Sequence, residues 1–134
     1  MTQQYTVSFG KLFAKEFANF SEKDQDAVLD FTEQFERCGL SDFSQFKGKI
    51  SPSWSNVDEG DENFTYAMSH SLWHYHIGLP EYIQRHPKYC TSDWVLHFQW
   101  VQGEKHIHIV DMCYHYTQDG RFYLPRPQYL DKAG

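Results

Sequence analysis

The sequence predicts an α+β fold, with two N-terminal helices packed on one face of a mostly antiparallel sheet of four to five strands. Two patterns predict it. Apolar residues recur with helical spacing between residues 11 and 37, and they alternate with polar residues at the strand period in several segments after residue 64. The 134 residues suffice for one domain with a hydrophobic core, and we expect a single domain over residues 1–134.

The N-terminal part predicts one short strand followed by two helices. Residues 5–9 (YTVSF) alternate as a strand does, and residues 11–19 have helical spacing. Ser21, with an acid three residues later, predicts the N-cap of a second helix that runs to Arg37, with Gly39 at its C-cap. The apolar stripe of this helix predicts core packing and comprises Ala27, Val28, Phe31, Phe35 and Cys38.

The second half of the chain predicts the remaining strands. They are residues 64–68, 73–77, 94–100 and 105–116. Irregular insertions are predicted near residues 40–63 and 78–92. Residues 117–134 predict a C-terminal tail, in which Pro125 and Pro127 oppose regular structure.

Histidines recur on the predicted strands. A period of two places His74 and His76 on one face of their strand, and it separates His97 from the apolar residues Trp94, Leu96, Phe98 and Trp100. On the last strand it divides the residues into two sets: His106, His108, Val110 and Met112 on one face, and Ile107, Ile109, Asp111 and Cys113 on the other. Because imidazole exchanges a proton near neutral pH, this pattern indicates acid–base chemistry or a metal site.

Composition limits the partners and the compartment. The formal net charge is −6, so any contact with nucleic acid requires a local basic patch. No apolar run reaches the roughly 20 residues that cross a bilayer, and the N-terminus lacks the features of a signal peptide. We therefore expect a cytoplasmic protein without a membrane partner. Cys38, Cys90 and Cys113 form no CxxC pair, which favours buried thiols over disulfides or a zinc site.

Four stretches resemble the RelE/ParE superfamily of toxins from bacterial type II toxin–antitoxin systems. They are residues 5–39, 43–50 (FSQFKGKI), 73–82 (WHYHIGLPEY) and 94–116. The ending Cys113-Tyr114-His115-Tyr116 is similar to the C-R-Y-H-Y ending of YoeB-type messenger-RNA interferases. The H-x-H-I strand and the proline-containing connection after it resemble the YafO branch. Most of the chain is covered, and the resemblance implies a single RelE/ParE-like domain.

The resemblance implies an endoribonuclease that cleaves messenger RNA, either free or on the ribosome, without a metal or other cofactor. Such cleavage needs a base for the ribose 2′-hydroxyl, an acid for the leaving oxygen and cations for the phosphate. By resemblance, His115 is the expected base or acid, and Tyr116 orients the phosphate or supports the acid. His74 and His76 stand where the family commonly has arginines and are further catalytic candidates. The candidate phosphate-binding cations are Lys47, Lys49, Arg85 and Arg121.

The resemblance also implies an antitoxin partner, an extended segment that folds on the toxin, and it leaves open a homo-oligomer or a toxin–antitoxin hetero-oligomer. Loop aromatics could anchor the antitoxin or complete the core; they are Phe43, Phe46, Trp54 and Tyr89. Two other functions remain open. One is a non-catalytic toxin that binds a protein such as DNA gyrase. The other is a metal-binding protein that uses the pairs His74-x-His76 and His106-x-His108.

Overall fold

The computed structural model describes residues 4–56, 60–87, 89–114 and 123–130. In chain order the elements are β1 (Thr6–Phe9), α1 (Lys11–Phe17), α2 (Glu22–Cys38), β2 (Ile50–Pro52), α3 (Glu62–Ser69), β3 (Leu72–His76), β4 (Ile83–His86), β5 (Tyr89–Thr91), β6 (Trp94–Gln99) and β7 (His106–Tyr114). Short 3₁₀-helices occupy Phe43–Gln45, Ser53–Asn56 and Pro127–Leu130. The predicted α+β class is confirmed.

Five strands form the main sheet in the order β1-β7-β6-β3-β2. β1 runs parallel to β7, and the other neighbours are antiparallel. β4 and β5 form a separate two-stranded hairpin. The sheet is therefore mostly antiparallel, as predicted, with the last strand between β1 and β6.

Local sequence signals set the ends of α2. The Ser21 hydroxyl accepts a hydrogen bond from the Asp24 amide, and Gly39 ends the helix with φ of 66°. A left-handed residue at this position favours glycine, and a Cβ there would also collide with the Tyr5 ring. Both predicted caps are confirmed.

The main core lies between α1, α2 and one face of the sheet. The helices contribute the buried residues Phe13, Val28, Phe31 and Phe35, and the sheet contributes Tyr75, Leu96, Phe98, Ile107 and Ile109. The Phe31 ring stacks on Tyr75 with 4.5 Å between ring centroids, and it lies 5.6 Å from Phe98. The predicted stripe of α2 therefore packs as the periodicity indicated. We call this side of the sheet the helix face.

The opposite face is covered by α3, the 3₁₀-helix Ser53–Asn56 and the C-terminal segment 123–130. The predicted strand at residues 64–68 is wrong, because this segment belongs to α3. Asp61 caps that helix by accepting a hydrogen bond of 2.8 Å from the Asn63 amide. The helix then buries Ala67 against Leu72 and Val110. A short apolar run suits either structure, and here the cap and this contact favour the helix.

The two predicted irregular insertions contain regular structure. Segment 40–63 includes β2, which pairs with β3, and it includes the first residues of α3. Segment 78–92 contains both strands of the β4–β5 hairpin. Alternation is a usable signal over about four to eight residues. β4 has four residues and β5 has three, so the hairpin strands are at or below that limit. The sequence pattern therefore missed them.

A β-bulge in β7 changes which side chains share a face. His97 pairs with Asp111 and Phe98 pairs with Ile109, so Val110 is the extra residue. The bulge moves Met112 to the helix face, whereas Asp111 lies on the side of Val110, where its carboxylate contacts Tyr123. The prediction that Met112 shares a face with His106 and His108 is therefore wrong, as is the prediction for Asp111.

Candidate functional site

One end of the sheet gathers residues from three strands and from the segment just before β2. The Lys49 carbonyl accepts a 3.0 Å hydrogen bond from the His76 amide, His76 pairs with Val95, and Val95 pairs with Cys113. These positions form a row across the sheet, and β7 ends one residue beyond it at Tyr114. We call this row, together with Lys47 and Gly48, the lysine end of the sheet.

Backbone hydrogen bonds hold Lys47, Gly48 and Lys49 between β3 and the β4–β5 hairpin. The Cys90 amide donates to the Lys47 carbonyl at 3.0 Å, and the Lys49 amide donates to the Cys90 carbonyl at 2.9 Å. Gly48 lies so close to β3 that a Cβ would collide with the His76 carbonyl oxygen. Only glycine permits this approach, so the backbone positions of both lysines are set by contacts on either side.

Lys47 is exposed and lies over an aromatic ring. Its Nζ is 4.9 Å from the centroid of Tyr82, whose hydroxyl lies 2.7 Å from that of Tyr75. Burial raises the pKa of Tyr75 and of Tyr82, so both hydroxyls remain neutral at physiological pH. The ring attracts the ammonium through its quadrupole, which holds a positive charge at the surface of the lysine end.

Two of the four predicted catalytic residues are described, and both are buried. His74 is 1% exposed, and its Nδ1 lies 3.1 Å from the Ser53 hydroxyl. His76 is 7% exposed, and its Nδ1 lies 3.1 Å from the Ser92 amide nitrogen and 2.9 Å from the Ser92 carbonyl oxygen. The tautomer decides which of the two Ser92 contacts is the hydrogen bond. Neither imidazole is on the surface.

Burial lowers the pKa of His76, and the nearby positive charge of Lys49 acts in the same direction, although the Ser92 contact opposes them. At neutral pH the ring is therefore uncharged. Ser92 itself accepts a hydrogen bond from the Gly78 amide at 3.0 Å and donates one to the Trp94 carbonyl at 2.7 Å. The contact between His76 and Ser92 thus helps to hold both ends of the segment that carries the β4–β5 hairpin.

The structure describes only some of the remaining predicted site residues. Lys49 is half-buried, and Arg85 lies in β4, although its side chain is outside the described part of the structure. His115, Tyr116 and Arg121 lie outside the described residues. The structure therefore brings Lys47, Lys49 and His76 together at the sheet end where β7 stops.

A buried polar layer continues from His76 across the sheet. It comprises the side chains of His74, His76, His97 and Asp111, which we call the histidine layer. The His74 ring lies 5.8 Å from that of His76 and 6.1 Å from that of His97, measured between centroids. His97 is fully buried, and its ring lies 5.6 Å from that of Tyr123 in the C-terminal segment.

Asp111 lies on the opposite face of the sheet from the one that alternation along β7 predicts. Its carboxylate accepts hydrogen bonds from the Tyr123 hydroxyl at 2.6 Å and from the Met112 amide at 2.8 Å. Burial outweighs these two contacts and raises the pKa of Asp111 to about 6. The bulge at Val110 brings this acid beside His97, and alternation along the strand contains no signal for it.

Three tyrosine hydroxyls attach the C-terminal segment to the rest of the fold. Besides the contact from Tyr123 to Asp111, Tyr66 donates to the Pro125 carbonyl at 2.7 Å and Tyr129 donates to the Glu16 carboxylate at 2.9 Å. These bonds connect the segment to α3 and to α1. The segment therefore forms part of the cover over the histidine layer.

The sequence also predicts a metal site as an alternative. In the described part of the chain, no three His, Cys, Asp or Glu side chains are grouped so that they could hold a metal ion. The pair His74 and His76 lies on β3 and the pair His106 and His108 on β7, with β6 between them. All three cysteines are free thiols, of which Cys90 is buried. Among the described helices, none has the length and apolar character that crossing a membrane requires.

Comparison of the chain with protein-family models, with curated proteins and with solved structures found no match.

Proposed function

We propose that this chain is the toxin of a type II toxin–antitoxin pair and that it cleaves RNA at the lysine end of the sheet without a metal. The observation that carries the site is the register. It aligns Lys49, His76, Val95 and Cys113 in one row, so the strand that leads to His115 ends at the same end of the sheet as the Lys47-Gly48-Lys49 segment. The resemblance of four stretches to the RelE/ParE superfamily supports the class of protein.

The proposed chemistry uses the ribose 2′-hydroxyl as nucleophile. His115, one residue after Tyr114, exchanges the proton, and Tyr116 orients the phosphate. Neighbouring strands lie about 4.8 Å apart, so the backbone of Lys49 is separated from that of β7 by roughly 14 Å. We therefore assign Lys47 and Lys49 to phosphates beside the cleaved one. Their role is to hold the RNA strand by charge.

In this proposal His74 and His76 position the site and do not contact RNA. Both are buried, and His76 lies between the Lys49 carbonyl and Ser92. The backbone amide of His76 bonds the Lys49 carbonyl, and the uncharged imidazole contacts Ser92 at the base of the β4–β5 hairpin, whose Cys90 bonds Lys47 and Lys49. Loss of the imidazole would therefore loosen the hairpin that holds the lysine segment, so the effect on cleavage would be indirect.

Expression of the chain without a partner tests the class of protein. Growth should stop, and pulse labelling should show that protein synthesis falls before DNA synthesis does. Selective loss of DNA synthesis would favour the gyrase-directed alternative. Unchanged growth at a verified protein level would contradict the toxin proposal.

Replacement of His115 tests the site. His115→Gln keeps hydrogen-bonding capacity but removes proton transfer at neutral pH, and RNA cleavage should fall by roughly 10²-fold or more. His70→Gln is the matched control, because His70 is exposed just before β3, at the opposite end of that strand from the lysine end. Cleavage should be unchanged in this control. Full cleavage by a folded His115→Gln protein would remove His115 from the mechanism.

We also propose an antitoxin that packs on exposed apolar residues. Of the predicted anchors, Phe46 is buried in the core, whereas Phe43 is 38% exposed beside the Trp73 and Trp100 rings. The Tyr89 side chain lies outside the described part. With a net charge of −6, this chain favours a partner less acidic than itself. The complex should weaken between low and moderate salt, and affinity that ignores salt would contradict the charge argument.

A further inference from the structure

Three hydrogen bonds in series connect side chains of β1 and β7, at the end of the sheet opposite the lysine end. The parallel register pairs Thr6 with His106 and Ser8 with His108. Thr6 Oγ1 lies 2.7 Å from His106 Nδ1, His106 Nε2 lies 2.9 Å from Ser8 Oγ, and Ser8 Oγ lies 2.7 Å from His108 Nδ1. The Ser8 hydroxyl therefore stands between two imidazole nitrogens.

The number of protons on these side chains determines which of them can donate and which can accept a hydrogen bond. Ser8 has one hydroxyl proton, so along the series it donates to one imidazole and accepts from the other. When His106 Nε2 accepts that proton, His106 Nδ1–H donates to Thr6 and His108 Nδ1–H donates to Ser8. This arrangement has a hydroxyl nucleophile, a base within hydrogen-bond reach and a third group that orients the base, which is the geometry of activated serine nucleophiles.

Two members of the series, His106 and His108, line an open cleft of about 300 Å³. The other polar residues of the lining come from the end of α3, the α3–β3 connection and β6, and they include Ser69, His70, Ser71 and Gln99. His106 is exposed and Ser8 is half-buried. One hydrogen bond separates Ser8 Oγ from nitrogens in the cleft wall. The volume is at the lower end of the range for small-molecule sites.

We propose that Ser8 is a nucleophile toward a small carboxylic ester in this cleft, with His106 as its base. Ser8 Oγ bonds to the carbonyl carbon as its proton moves to His106 Nε2. The ester C–O bond then breaks, and the leaving oxygen takes that proton to become an alcohol. Water attacks the resulting acyl-Ser8, again losing a proton to His106, which returns it to Ser8 and releases the carboxylic acid. No metal or redox partner is needed.

Two neighbours support these groups without contacting the substrate carbon. In this arrangement Thr6 accepts a hydrogen bond from His106 Nδ1–H and is a positioning residue, because it holds the ring with Nε2 toward Ser8. His108 donates to Ser8 Oγ, so it stabilises the negative charge that develops there as the proton leaves.

Labelling of the full chain with an alkyl fluorophosphonate tests the proposal without RNA, ribosomes or an antitoxin. Ser8 Oγ should bond to phosphorus, fluoride should leave, and the serine proton should pass to His106. Peptide mass spectrometry should locate one adduct on Ser8. Ser69 is the matched control, because it lines the same cleft but donates its hydroxyl to the Tyr66 carbonyl, and not to an imidazole. An unlabelled Ser8, or Ser69 labelled as fast as Ser8, would overturn the proposal.

Variants separate the roles within the series. His106→Gln should slow labelling by roughly 10²-fold or more. Because His106 is exposed, the variant should fold normally, and an unchanged circular dichroism spectrum would show that the loss does not come from unfolding. Thr6→Val should slow it roughly fivefold to tenfold, the value of one neutral hydrogen bond, whereas Thr6→Ser should restore the rate. Wild-type labelling of His106→Gln, or equal rates for Thr6→Val and Thr6→Ser, would refute the assigned roles. Because RNA cleavage does not enter the assay, failure here leaves the toxin proposal separately testable.

Discussion

The two faces of the main sheet are buried by different chemistry. The helix face is closed by α1 and α2 over aromatic and aliphatic side chains, with Phe31 stacked on Tyr75. The opposite face buries His74, His76, His97 and Asp111 beneath α3, a 3₁₀-helix and the C-terminal segment. Neighbouring residues such as His97 and Phe98 are both fully buried but belong to different environments. The side chains that stabilise this fold therefore differ from those that make its stability depend on pH.

The two faces contribute differently to the free energy of unfolding. Burial of one large apolar side chain contributes about 1.5–3 kcal/mol, independent of pH. An ionised carboxylate whose pKa is raised to about 6 instead opposes folding at neutral pH. The helix face should therefore dominate the free energy of unfolding, and the histidine layer should dominate its pH dependence.

The largest effect is expected on the helix face, from Phe98→Ala. Phe98 is fully buried beside Phe31, so its removal should lower the free energy of unfolding by about 3–5 kcal/mol. Urea denaturation should give the same loss at pH 5 and pH 7. Phe43→Ala, at a ring that is 38% exposed, is the control and should cost less than about half that amount. A loss at Phe98 that changed strongly with pH would contradict the division between the faces.

The next effect is a gain in stability from Asp111→Asn. The folded-state pKa of about 6 lies above the ordinary 3.8, so the folded state binds the proton more tightly. The stabilising contribution of protonated Asp111 is fully present below about pH 4 and is lost as the pH rises through 6. Asparagine can keep the contacts to Met112 and Tyr123 without a charge. The variant should therefore be more stable at pH 7 by up to about 3 kcal/mol.

The same variant should expose the opposite pH dependence of His76. Burial lowers the pKa of His76 below its ordinary 6.5, so stability from a neutral His76 falls as the pH drops below that value. In the wild type, the Asp111 contribution opposes this decline between about pH 6 and pH 4. Asp111→Asn should lose stability more steeply on acidification, as measured by urea midpoints from pH 7 to pH 4. Parallel curves for the two proteins would show that Asp111 does not titrate in this range.

The sequence predicts the elements of the helix face better than those of the opposite face. Helical spacing and the two caps, Ser21 and Gly39, predict α2 and its buried stripe, because burial and capping are local to that segment. For the α3 region the sequence pattern predicts a strand, because its short apolar run suits either structure. The Asp61 cap and contacts with Leu72 and Val110 decide for the helix.

The candidate site shows the same limit. The alternation predicts a histidine-bearing face but places Asp111 wrongly, because a bulge depends on pairing between β6 and β7. The contact of Ser8 with His106 and His108 depends on the parallel pairing of strands about 100 residues apart, and spacing along the chain carries no information about it.

The smallest effect that still distinguishes the faces is expected from Tyr123→Phe. Its hydroxyl donates a 2.6 Å hydrogen bond to the buried Asp111 carboxylate, and a hydrogen bond to a charged group is worth about 1.5–3 kcal/mol. The variant should lose roughly 2 kcal/mol at pH 7 and less at pH 4, where the acid is protonated. In the Asp111→Asn background the loss should fall to about 1 kcal/mol, the value for a neutral pair. Tyr66→Phe is the matched control, because its hydroxyl holds the same C-terminal segment through the uncharged Pro125 carbonyl, so its cost should not vary with pH. If the two tyrosine variants shared one pH profile, the loss would come from the attachment of the segment and not from the buried charge.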